Sequence, residues 1–418
     1  MSLLSRVTSA SGAAPLLISA AISGGAGYVI SALVPALETP AVYAAFTLVW
    51  SAQFLGAAAL GGIQQEIGRV ALPADGHDHA PTSGREIARM AGVLAVVAGL
   101  LAALVVAVLA LCDVLPGAAV APVTVACAAF ACVSVVLGML YGLGRTGVIA
   151  LEIVVEWGLR FLLVVVTLAL DGGTAVLLWA IALPTLLAPF VIWPWIRAGL
   201  GGGVWIAGGL TAVRRTLAYT VGSSSASAVL ISGFPIMVAV MAGAAQDPRL
   251  PAIILAITLV RSPIVVLVIG LQAMLVVRIR DLGDHYGALL RTWHLGLLGV
   301  SLVAALGAGL LGPPVLELFG SSYHLPGLFL AGLVLASGVL GCLSITSAAT
   351  LARGMHGRYL AGWIGAVVAA AVALVPRSVE LETRVVVSLF LAAGVGWLIH
   401  AAGLRRDLRA PGRIEVPA

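Results

Sequence analysis

Along the chain, apolar runs of about 20 residues alternate with short stretches rich in Gly, Pro, Arg and Ser, and a run of that length crosses a hydrocarbon core of about 30 Å as an α-helix. The breaks predict spans at residues 13–36, 42–65, 89–111, 118–141, 147–170 and 175–196. A second set falls at 216–241, 251–276, 289–312, 325–350, 358–376 and 385–403, the ninth ending at Pro313 and Pro314. Between the sets lies RAGLGGGVWIAGGLTAVRR, residues 197–215, long, glycine-rich and basic. The predicted organisation is an N-terminal six-helix lobe over 1–200, a cytoplasmic linker over 201–215 and a C-terminal six-helix lobe over 216–418, ending in a short basic cytoplasmic tail.

Composition makes the membrane reading firm. Of 418 residues, 61% are hydrophobic and 9% charged, with a mean hydropathy of +1.14. A soluble domain carries about 25% charged residues, so these few could not cover a water-facing surface. The fold class is therefore all-α and polytopic, and the 50 glycines suit close helix packing. All 22 basic residues are arginine, as a GC-rich bacterial genome would give, so the net charge of +5 implies no nucleic-acid partner. With the N-terminus inside, seventeen arginines fall in inner segments and only Arg249, Arg377 and Arg384 in outer ones. That bias predicts a multi-pass protein of the bacterial plasma membrane with both termini cytoplasmic. Arg6 precedes the first apolar run without a small-residue cleavage site after it, so the first helix is expected to be retained. Cys112, Cys127, Cys132 and Cys342 lack metal-ligand spacing and read as packing residues, and His77 and His79 as part of a solvated loop.

Ionisable groups inside spans are costly and therefore candidates for function. Arg261, in ITLVRSPIVV, lies about 15 Å from the outer boundary, near the midplane. Pro263 follows as a candidate hinge, because it withholds a backbone donor. A guanidinium there suits a phosphate-bearing ligand; the alternative is an arginine neutralised by a structural carboxylate. In the fifth span Glu152, Glu156 and Arg160 recur at intervals of four on one helix face. Glu156 and Arg160 can pair as i,i+4 neighbours; otherwise the stripe borders a hydrated cavity, with Arg160 a substrate contact and the two glutamates in coupling or gating. Ser227 and Ser232, in TVGSSSASAVLISGFP, offer hydroxyls to a substrate or satisfy their own helix. Gln272 nearly ends the eighth span, and Glu66, which ends the second, either pairs with Arg69 or serves coupling or gating.

The halves repeat weakly. Arg69 of QQEIGR and Arg278 of LVVRIR close the second span of each half, and GLGRTG and LARGMHG, from Gly142 and Leu351, close the fourth; both pairs are 209 residues apart. Six spans per half give the copies one orientation, the parallel-repeat arrangement of many transporters, with the site between the halves.

These residues carry a resemblance. GGIQQEIGR, LEIVVEWGLRFLL, VLISGFPIMVAVMAG and LVRSPIVVLVIGLQAMLVVRIRDL resemble the bacterial polysaccharide-biosynthesis branch of the multidrug/oligosaccharidyl-lipid/polysaccharide (MOP) exporter superfamily, over nearly the whole chain. The resemblance implies about twelve helices in two six-helix lobes around a central cleft, as in MATE transporters. It also implies alternating access that moves a polyprenyl-diphosphate-linked oligosaccharide from the inner to the outer leaflet. Arg261 would then face the diphosphate, whereas Glu156 puts such a role for Arg160 in doubt. The lipid-linked glycan and membrane lipids would be its partners, with a glycan polymerase and glycosyltransferases beside it. No cofactor is implied beyond a coupling proton or Na+.

Two other readings compete. A cation-coupled multidrug or small-solute antiporter of the same fold would use Glu66, Glu152 or Glu156 as its carrier. An integral-membrane glycan polymerase or glycosyltransferase would need acid and base groups in an outer loop, where Glu317 and His324 make no convincing pair by sequence. The expectation is a transporter, not an enzyme.

Overall fold

The computed structural model describes Gly12, residues 14–74, 82–201, 203–207 and 209–243, Ala245, residues 247–260, Leu275, Arg278, Ile279, Leu282 and residues 285–409. At 209–212, 214, 215, 218, 219 and 407–409 the description is of backbone alone. In chain order the helices are α1 (Ala14–Leu37), α2 (Pro40–Val70), α3 (Gly84–Leu111), α4 (Val120–Gly142), α5 (Thr146–Ala169), α6 (Gly173–Val191) and α7 (Trp193–Gly199). Then follow α8 (Gly209–Ile231), α9 (Phe234–Met241), α10 (Leu250–Val260), α11 (Tyr286–Glu317), α12 (Gly327–Ala352), α13 (His356–Leu374) and α14 (Leu381–Arg409). Each of the twelve predicted spans overlaps one or more of these helices. Among the described residues nine are long and apolar enough to cross a membrane, and α8 with α9 makes a tenth span, bent by 70°. α5 is as long as its neighbours at 24 residues and differs in carrying three charges. The chain is a multi-pass, all-α membrane protein.

Local chemistry explains several boundaries. Thr39 caps α2, its side chain accepting from Val42 N at 3.4 Å, and Pro40 opens the helix where a missing N–H is harmless. With 31 residues α2 is about 46 Å long and outreaches the hydrocarbon core, which carries Glu66 and Arg69 into its end. The seventh span breaks at Ser232–Gly233, just before Pro235, whose missing N–H prevents the ladder from continuing. The ninth span differs from expectation: α11 runs through Pro313 and Pro314 to Glu317. Membrane helices tolerate such prolines because neighbouring groups satisfy the freed carbonyls.

The 201–215 segment is more ordered than a linker. Val204–Ile206 forms strand β2, antiparallel to β1 (Ala71–Pro73) at the end of α2, with Ala71 opposite Ile206. Thr82 locks the pair, its N–H donating to Val204 O and its hydroxyl accepting from Ile206 N. α8 starts at Gly209.

By contact the chain divides into Met1–Ile236 and Met237–Ala418. The division falls within the seventh span because α8 packs along α2. In the first unit, Ile63, Ile67, Met90, Val135, Met139 and Leu217 share one core with both strands. There Gly62 lets α2 meet the α8 backbone: a Cβ at that position would lie 2.7 Å from the Thr220 carbonyl carbon. In the second unit α12 packs against both α11 and α14, and Tyr286, Leu290, Ile345, Ala348 and Leu404 form a core.

Candidate functional site

α5 lies against α1 and α6, and that packing encloses its charged stripe. Glu152 is 2% exposed, Glu156 9% and Arg160 6%. The expected i,i+4 ion pair is present: Arg160 Nη2 donates to Glu156 Oε1. α6 supplies the rest. Arg160 Nε donates to Ile181 O at 3.1 Å and Nη2 to Thr185 Oγ1 at 3.0 Å, while the Thr185 hydroxyl donates to Glu156 Oε1 at 2.7 Å. This turn of α6 contains Pro184, which returns no N–H to the helix ladder.

The remaining face of Arg160 meets Trp157, whose ring centroid is 4.8 Å from the guanidinium carbon. Trp157 in turn packs on Trp50 and Phe54 of α2, with centroids 6.1 and 5.9 Å away. Gly27 of α1 makes room for that indole, since a Cβ there would come within 2.9 Å of it. Arg160 is thus held by a carboxylate, a hydroxyl, a carbonyl and an aromatic face, which compensates its desolvation.

Glu152 differs. Its Oε1 is buried and has no hydrogen-bond partner among the described residues. It lies one turn from the Glu156–Arg160 pair. Sequence reasoning found the stripe from its spacing but missed Thr185 and the Ile181 carbonyl, because partners on another helix leave no periodic signal.

At the end of α2, Glu66 is 3% exposed. It accepts from Arg69 Nη2 at 2.7 Å and Nε at 3.2 Å, and also from the hydroxyl of Thr216. The carboxylate therefore ties α2 to α8 as well as meeting Arg69. Ser227 donates to Ser224 O at 3.0 Å, within its own helix, and Ser232 is half-buried at the break after α8. Arg261, Pro263 and Gln272 lie outside the described residues.

On the predicted outer side of the second unit, Arg384 is 8% exposed, and its Nη1 donates to Ala242 O and Leu374 O at 3.1 and 3.0 Å. It thereby satisfies carbonyls at the ends of α9 and α13. Beside it, Arg249 bonds Asp247 Oδ2 at 2.9 Å and both oxygens of Glu382 at 3.0 and 3.1 Å. The hydrogen bonds from Arg249 hold the Asp247 carboxyl below its ordinary value. Glu317 and His324 meet, with Oε1 and Nδ1 2.8 Å apart, as an exposed surface pair. Cys127 and Cys342 are buried as expected, whereas Cys112 is exposed at the end of α3.

No family model matches the sequence. It is 33% identical to the uncharacterized protein Rv1510 of Mycobacterium tuberculosis over 263 residues, 63% of this chain and 57% of that one. The chain thus spans less than two thirds of the first curated relatives it matches. A second protein of that organism, the uncharacterized protein Rv3630, is 29% identical over 93% of this chain and 90% of its own. Among solved structures, a MOP superfamily transporter from Pyrococcus furiosus matches with a TM-score of 0.61 at 17% identity, over 98% of this chain and 99% of that one. An inward-facing multidrug-resistance MATE transporter gives 0.61 at 17% identity over 96% and 97%, and an outward-facing form 0.60 at 16% over 98% and 99%. The fold is that of the MATE transporters of the MOP superfamily.

Proposed function

We infer that this chain is a membrane transporter working by alternating access, and that it carries a polyprenyl-diphosphate-linked oligosaccharide from the inner to the outer leaflet. The observation that carries the reading is the match of nearly the whole chain to transporters solved in both inward-facing and outward-facing forms. The glycan assignment draws on sequence: the motifs resemble the polysaccharide-biosynthesis branch, and Arg261 sits at the predicted mid-depth of the eighth span. Because Glu156 and Thr185 occupy Arg160, the diphosphate charge falls to Arg261. Arg160 is then a positioning residue of the wall, with Gln272, Ser227 and Ser232 as further substrate contacts. A polymerase and glycosyltransferases would act beside the transporter. The test is Arg261→Ala, which should abolish export of surface glycan while the protein stays folded and inserted. Normal export by that variant rejects the assignment.

One observation favours the second reading, a cation-coupled antiporter: the buried Oε1 of Glu152, which has no hydrogen-bond partner among the described residues. In liposomes with an imposed proton or sodium gradient, that reading expects efflux of a cationic dye that Glu152→Gln removes. Glycan export lost in Arg261→Ala, without any dye efflux by the native protein, separates the two.

A further inference from the structure

The second unit holds a groove of 490 Å³ that the transport reading does not use. Three helices build it, each offering one residue per turn: Leu290, His294 and Leu298 from α11, Val339, Cys342 and Thr346 from α12, and Gly394, Trp397 and Ala401 from α14. α12 packs against both others and forms the floor. Trp397 Nε1 donates to His294 Nε2 at 3.1 Å and ties the two walls together, while His294 Nδ1 meets Leu290 O. Both ring nitrogens of His294 are thus occupied, and the tautomer with hydrogen on Nδ1 fits both contacts. Gly394 leaves the groove open, for a Cβ there would meet nothing within 4 Å.

The chemistry of this groove has a direction. Its surface is almost wholly apolar, yet Arg291 and Arg405 stand at one end, both exposed. Arg353, stacked on Tyr286 at 5.6 Å, adds charge near that end. From Arg405 back to Gly394, α14 rises about 16 Å, close to the roughly 15 Å of one leaflet's hydrocarbon. A ligand fitting both ends has an acyl chain of one leaflet's depth and an anionic head group at the membrane surface.

We propose that this groove between α11, α12 and α14 is a binding site for an anionic phospholipid, with the acyl chain laid along α12 and the phosphate held by Arg291 and Arg405. Head-group charge gives the selectivity, since an interfacial arginine attracts an anionic lipid and leaves a zwitterionic one largely unaffected. The His294–Trp397 bridge keeps the walls at chain width.

Native mass spectrometry of the delipidated full chain, offered dioleoyl phosphatidylglycerol and dioleoyl phosphatidylcholine at equal concentration, tests it. The expected result is one retained phosphatidylglycerol per chain, with affinity falling roughly tenfold or more in R291Q/R405Q. Gly394→Leu, or the lipid-facing Leu295→Trp should the first misfold, fills the groove and should remove the lipid. Equal uptake of the two lipids, or unchanged phosphatidylglycerol binding in the double variant or in a folded groove-filling variant, overturns the proposal. So does a polyprenyl phosphate that displaces phosphatidylglycerol from the native protein and is itself lost in those variants, because the groove would then serve the carrier's tail.

Discussion

At the residue scale, Arg160 is accommodated inside α5 because its Nε, its Nη2 and one face of its guanidinium meet compensating groups. Removing one member of such a pair leaves the other buried and unmatched, at a cost of about 3–5 kcal/mol, whereas replacing both with apolar or neutral groups is often close to neutral. Arg160→Met should therefore lower the thermal stability of the detergent-solubilised protein markedly, and adding Glu156→Gln should restore most of it. Equal loss in the single and double variants would refute the pairing as the stabilising unit. The i,i+4 pair was legible in the sequence because both partners share one helix and one period. Thr185 was not, because an ordinary threonine in an apolar span gives no sign of which helix it faces. The carbonyls that Arg384 satisfies were not legible for a similar reason, since they belong to the ends of two other helices.

At the scale of elements, close approach decides stability. α2 and α8 meet at Gly62, where any side chain would press on the Thr220–Val221 peptide. Gly222 of α8 is the matched control, since a Cβ there meets nothing within 4 Å. Gly62→Ala is expected to destabilise by about 1–3 kcal/mol through overpacking. Gly222→Ala should be neutral, or stabilising by up to about 1 kcal/mol from helix propensity. Thermal unfolding of the two variants side by side checks this, and equal shifts would dismiss the contact. The helices themselves were legible, since 20 apolar residues in a row admit few other folds. The strands were not: three residues inside a glycine-rich stretch show no alternation long enough to read. Pro313 and Pro314 misled in the opposite sense, because a water-soluble rule for proline was carried into a helix that neighbouring spans support.

For the whole molecule, charge at the membrane surface links stability to pH. Asp247 has its carboxyl pKa lowered by Arg249, so its contribution is complete above the ordinary aspartate value of about 4 and is lost as pH falls through the lower folded value. Acid should thus loosen the joint among Asp247, Arg249 and Glu382 and lower the unfolding temperature. Asp247→Asn should unfold earlier than the native protein at neutral pH and lose much of this difference in strong acid. A constant gap between the two across the range would disprove the link. At this scale each of the twelve expected spans overlaps a helix, although among the described residues nine, or ten with the bent pair, are long and apolar enough to cross. The sequence did not show that α8 packs with the first unit, since hydropathy says nothing of which helices touch.

The pairing of Ala71–Pro73 with Val204–Ile206 also sets an order of assembly. β1 is synthesised directly after α2, but its partner leaves the ribosome only after α3, α4, α5, α6 and the short α7. Until then the backbone donors and acceptors of β1 depend on water or a chaperone, and the α2–α3 connection stays unlatched while four helices enter the bilayer. Completion of α7 and the residues after it therefore acts as a clock for the first half of the chain, and a nascent chain truncated before Val204 should leave Ala71–Pro73 more open to protease than the longer chain does.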